Sequence, residues 1–156
     1  MNMRTRRIAF RESFSILYMA LYVAALTVLA PAAQAVDISW HRTTRLVWSE
    51  GPRTRHEGNI TFANGERAIC IAEATDGPMD SNNWITFKGQ EVMRFDDRSM
   101  IFMQFEGRGN EGTRVAAFEG TFLSGTGRFK GVVGSFKCAG KFREYDCTGS
   151  YSLPTK

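Results

Sequence analysis

The chain has very little histidine. Two residues, His41 and His56, stand fifteen apart in 156 residues, and neither has a second His, Cys or carboxylate at metal-ligand spacing. That predicts no metal site and no imidazole-based constellation. No Ser-His-Asp signal stands out either, so catalytic residues stay unassigned. No long helical period follows the N-terminal segment, and no linker or charge block divides the chain. Excess charge is missing too. The first 35 residues hold four of the twenty basic residues and one of the sixteen acidic ones, which leaves sixteen and fifteen, a net charge of +1. A near-neutral domain has no electrostatic footprint for nucleic acid, which excludes that partner.

The N-terminus carries an export pattern. Arg4, Arg6, Arg7 and Arg11 precede the apolar run Ile16 to Ala30, and Ala33-Gln34-Ala35 supplies small residues at a cleavage site. The pattern predicts a signal peptide over 1–35, cleaved after Ala35, and a periplasmic or secreted domain over 36–156. Fifteen apolar residues fall short of the about twenty that span a bilayer, so no stable membrane span is expected after cleavage; an uncleaved anchor is the other reading. The absence of cysteine near the site argues against a lipoprotein. The paired arginines in "TRRIAF" match a twin-arginine signal weakly, and ordinary unfolded-chain export is favoured. The remaining 121 residues suffice for one domain with a core.

All three cysteines lie in that domain. Cys138 and Cys147 flank "AGKFREYD", which reads as a hairpin tip. Compartment and spacing predict a disulfide between them, against two buried free thiols. Cys70, in "RAICIAEA", is expected to be a buried core thiol.

Short runs rich in β-branched and aromatic residues fill the domain, separated by glycine and polar clusters such as Asn64-Gly65 and Gly125-Thr126-Gly127. Eight or nine such runs predict an all-β fold, either a closed antiparallel barrel of about eight strands or a sandwich. Glycines inside the runs, such as Gly107, Gly120 and Gly134, favour the barrel, because glycine in strands marks bends. The only recurrence is an F-x-G pair: "FKG" twice and "FEG" twice. The glycine-rich stretch from Gly120 to Gly140 is not a phosphate loop. Lys130 occupies the place of a third glycine, and no helix-forming segment follows. It reads as strand, tight turn and bent strand.

"RFDDRSMIFMQFEGRG" followed by "AAFEGTFLSGTGRFKGVVGSFKCAG" resembles barrels related to allene oxide cyclase and dirigent proteins. The similarity rests on Gly125, Thr126, Gly127 and Phe129, then Gly131 and Gly134, and covers residues 92 to 140. It implies an eight-stranded barrel with an apolar pocket, often a homo-oligomer. No functional carboxylate of that family maps onto this sequence residue by residue.

Alternation along "SMIFMQFEG" puts Met100, Phe102, Gln104 and Glu106 on one face, with Ile101, Met103 and Phe105 on the other. If the first face points inward, Phe102, Gln104 and Glu106, joined by Glu119 from "AAFEGTF", place polar groups in an apolar pocket. The opposite orientation leaves both carboxylates in solvent. Trp40, Arg42 and Trp48 share a parity on their own strand and, with Trp84, either line a ligand cavity or fill the barrel. His56 is expected at an exposed strand start. Asp96-Asp97 reads as a turn in which Asp bonds its own backbone. The leading expectation is an exported barrel holding a small, largely apolar ligand without a cofactor, oriented by Arg42, Gln104 or Glu106. The alternatives are a cyclase or isomerase that steers a reactive substrate, and a filled barrel that binds a partner through its outer face.

Overall fold

The protein is described from a computed structural model covering residues 34–154. The basic start and apolar run of the expected signal peptide lie outside the described residues. Eight strands follow in order: β1 Val36–Glu50, β2 Arg53–Phe62, β3 Arg67–Asp76, β4 Trp84–Phe95, β5 Met100–Asn110, β6 Val115–Gly125, β7 Val133–Lys141 and β8 Glu144–Ser152. Each pairs antiparallel with the next, and β8 closes onto β1. The fold is an all-β, single closed antiparallel barrel, as the strand-like runs and their spacing predict. "NWITFKG" and "QEVMRFD", separate in sequence pattern, form the one strand β4. "GRF" departs from the expected bent strand and forms a single 3₁₀ turn, Gly127–Phe129.

The F-x-G recurrence explains how a narrow barrel is filled. Phe and Gly two apart share the inward face, while the residue between them points out. In the antiparallel register each Phe stands opposite a neighbour's glycine: Phe87 opposite Gly107, Gly89 opposite Phe105, Phe105 opposite Gly120 and Gly107 opposite Phe118. A side chain at Gly120 would fall 2.6 Å from Phe136 Cζ. The glycines are therefore the space into which the rings pack, an alternation of small and large that suits small barrels. The intervening residues form an outer ladder of Lys88, Glu106, Glu119 and Lys137.

The two ends differ. At one end, Phe129 from the 3₁₀ turn plugs the barrel, with ring centroids 4.7 Å from Phe95 and 6.0 Å from Tyr151. Phe62 stacks on Phe95, and Trp40 sits above Phe62 and Phe136. The other end carries the β1–β2, β3–β4, β5–β6 and β7–β8 connections and stays partly open. Cys138 and Cys147 face each other in register across β7 and β8 and are disulfide-bonded inside the barrel. Cys70 is a buried free thiol. Asp97 accepts from its neighbour Ser99 N–H at 2.9 Å, the expected turn.

Candidate functional site

Two buried charged residues occupy the inward face among the described residues, where the strand pattern calls for apolar ones. Arg42 shares its face of β1 with Ile38, Trp40 and Thr44. Glu91 shares its face of β4 with Phe87, Gly89, Met93 and Phe95. Arg42 is 5% exposed and Glu91 3%. Arg42 Nη1 donates to Glu91 Oε2 at 2.6 Å. Burial works against the guanidinium's charge, but Glu91, together with smaller contributions from Cys70 and Tyr145, outweighs it, and the Arg42 pKa is raised. Burial also pushes the Glu91 carboxyl above its ordinary range, and Arg42 draws it partly back. The 2.6 Å contact is short, as charge-assisted bonds are. The guanidinium lies over two rings, 5.4 Å from the Phe118 centroid and 5.6 Å from that of Tyr145. Arg42 Nε and Glu91 Oε1 are buried without a hydrogen-bond partner among the described residues.

Above this pair lies a cavity of about 230 Å³ at the open end. Phe87, Phe105, Phe118 and Tyr145 wall it, and the small side chains of Ala72 and Ala74 leave its volume free. Asp76, Glu111, Arg114 and Arg143 ring its mouth, balanced in charge. His56 lines the wall; burial first, then the charges of Arg42 and Arg143, hold its pKa below the ordinary imidazole value. Burial, then Glu111, pushes Asp76 up. Cys70 lies deeper on the inward face of β3. Its pKa is pushed up to about 12, chiefly by burial and then by Glu91, so it is an inert thiol at neutral pH. Of the larger concavities, the groove of about 920 Å³ beside Lys88, Glu106, Glu119 and Lys137 runs along the outer wall, and one of about 750 Å³ reaches the plugged end at Phe95, Phe129 and Tyr151.

The barrel sorts the sequence candidates. Arg42 lines the cavity. Trp40 lies deeper, 3% exposed, and fills the core. Gln104, Glu106 and Glu119 point outward, which corrects the inward reading of that face. Strand parity admits either orientation, and Ile101, Met103 and Phe105 take the interior because they are the larger apolar set. Glu119 instead pairs with Lys137 at 3.6 Å on the surface. Phe102 is likewise outside and 37% exposed. Trp84 is on the outer face of β4, under Arg108. Trp48 leaves the face of Trp40 and Arg42 because a bulge between Leu46 and Trp48 reverses its side, opposite Arg55 and beside Arg53. His56 is half-buried in the cavity wall rather than exposed. His41 is outside, bonded to Asp146 at 2.9 Å.

Sequence reasoning missed Glu91, Tyr145 and Phe118. Glu91 carried a signal: it is the one carboxylate on the parity of Phe87, Gly89, Met93 and Phe95. A charge on an apolar face marks either an error of register or a buried partner, and Arg42 has the same character on β1. Tyr145 and Phe118 meet Arg42 only through barrel closure, which no local pattern encodes.

No protein-family model matches the chain, and no curated protein matches its sequence. Among solved structures, the barrel is similar to a nonspecific heme-binding cyclase that catalyses a [4 + 2] cycloaddition during neoabyssomicin biosynthesis. That cyclase is 12% identical; the match covers 98% of this chain and 83% of that one, with a TM-score of 0.50. At that identity the likeness is one of fold alone.

Proposed function

We propose that the protein is an exported barrel that binds a small, largely apolar molecule in its open-end cavity and needs no cofactor to do so. The observation that carries this reading is the cavity itself. It is walled by inward aromatic side chains and ends on Arg42, whose partner Glu91 lies behind it, the combination of apolar walls and few polar groups typical of ligand sites. Its about 230 Å³ is less than the about 300 Å³ at which drug-sized sites begin, so the ligand is correspondingly small. The haem of the cyclase neighbour is not carried over, because a porphyrin macrocycle exceeds this volume. The test is native mass spectrometry on protein purified from the exported fraction, with Ala74→Phe as a variant that fills the cavity. A retained small molecule lost in the variant supports the reading. One retained equally by both proteins would place the ligand elsewhere. A bare chain that also fails to take up acetophenone at millimolar concentration ends the proposal.

A second reading, a cyclase or isomerase, is favoured by two displaced titratable groups that line the cavity, His56 and Asp76. Such clusters are common at catalytic sites. Cyclisation and isomerisation conserve mass. The distinguishing result is conversion of a retained molecule to a product of equal mass and different chromatographic retention.

A further inference from the structure

We infer that the cavity selects a ligand with a neutral carbonyl oxygen, which accepts a hydrogen bond from Arg42 at the cavity floor. The inference rests on the cavity reading above and goes on to its ligand chemistry. An arginine carries five N–H donors. Glu91 takes Nη1 and Nε–H is closed off inside the barrel, while Nη2 has no acceptor among the described residues and is not closed off. A donor without an acceptor is unfavourable in an apolar setting, and Arg42 is itself part of the cavity lining, so an acceptor in the cavity can reach Nη2. An oxygen acceptor from a ligand supplies that partner.

The charge already present decides between a carbonyl and a carboxylate. Glu91 neutralises Arg42, and the mouth is balanced, with Asp76 and Glu111 facing Arg114 and Arg143. A carboxylate ligand would bring a second anion beside Glu91 in a low-dielectric interior, which is unfavourable. A ketone, lactone, ester or amide supplies the same acceptor without that charge. A carbonyl held by a guanidinium is also polarised, so a conjugated alkene attached to it would become more electrophilic.

The test compares three frames of increasing size as ketone and hydrocarbon: cyclohexanone with methylcyclohexane, acetophenone with ethylbenzene, and 1-indanone with indane. Benzoate serves as the anion. Affinities are read by NMR titration on the intact domain and on Arg42→Met/Glu91→Leu, which replaces both charges together. The ketone-to-hydrocarbon affinity ratio should fall about tenfold in the double variant, the size expected for a hydrogen bond to a charged group. In ¹⁵N-arginine spectra of the unsubstituted protein, ketones should shift the Arg42 Nη–H signal and hydrocarbons should not. That measurement decides the matter even if the double variant does not fold. Ketones and hydrocarbons that bind while this signal stays still would overturn the floor assignment and leave the cavity reading intact. Benzoate binding more tightly than acetophenone would overturn the neutral carbonyl. No uptake of any probe at millimolar concentration would overturn both.

Discussion

Arg42 and Glu91 are each strongly destabilising alone and tolerable only as a pair. Removing one partner of a buried ion pair leaves an uncompensated charge, typically a loss of about 3–5 kcal/mol. Arg42→Met should show that loss in denaturant unfolding, and Arg42→Met/Glu91→Leu should recover most of it. The loss also has a pH signature. Glu91's folded pKa is raised above its ordinary 4.5, so the native state binds more protons than the unfolded chain just above that value. Its contribution to stability is complete below pH 4.5 and is lost as pH rises through the folded value. Arg42 normally draws that value down. In Arg42→Met the folded pKa climbs further, the window widens, and the variant's deficit should grow as pH rises from 4.5 toward neutral. A deficit that is flat across this range would mean that Glu91 is not the group responsible. The pair was half legible in the sequence. Arg42 stood out between tryptophans, whereas Glu91 was hidden in "KGQEVMRF", where its inward parity shows only once β4 is read as one continuous strand.

Strands β4, β5 and β6 lock together through their F-x-G triplets, and the lock separates inward from outward substitutions. Gly120→Ala should destabilise the barrel by about 1–3 kcal/mol through overpacking, because the new methyl meets Phe136 and the β5 backbone. Glu106→Gln, on the outer ladder, should lie within about 0.5 kcal/mol of the parent. Equal effects from the two changes would undo the assignment of faces. Between β7 and β8, Cys138→Ala/Cys147→Ala should lower stability by about 2–3 kcal/mol, the loop-closure value for a short hairpin. At this scale part was readable in advance: the disulfide and the Asp97 turn follow from local chemistry, whereas the strand glycines, read as bends, prove to be the space that the Phe rings fill. The side on which Trp48 emerges did not follow. One extra residue at Val47 reverses it, and nothing in "RLVWS" distinguishes a bulge from regular alternation. The faces of β5 were ambiguous for a related reason, since "MIFMQF" is apolar on both.

Closure gives the whole molecule two unlike ends, and that asymmetry was not available from local pattern. It depends on which connections gather at each end and on Phe129 leaving the expected strand to become a plug. The plug belongs to stability and the open end to binding, so the two properties should separate by mutation. Phe129→Ala removes a ring that is 6% exposed and packed against Phe95 and Tyr151. A buried Phe→Ala change costs about 3–5 kcal/mol. Denaturant unfolding should show that loss, while acetophenone affinity, measured where the variant is still folded, should stay within about twofold of the parent, since the hydrogen-bond and aromatic contacts of the cavity lie at the opposite end. Phe142 closes part of the cavity wall from the β7–β8 turn, is only half-buried, and rests against Gly109 under Arg114. Phe142→Ala should therefore be milder in stability and weaken acetophenone binding several-fold. If Phe129→Ala weakens binding as much as Phe142→Ala does, ligand and plug share one space, and the barrel works as a single channel rather than a cup.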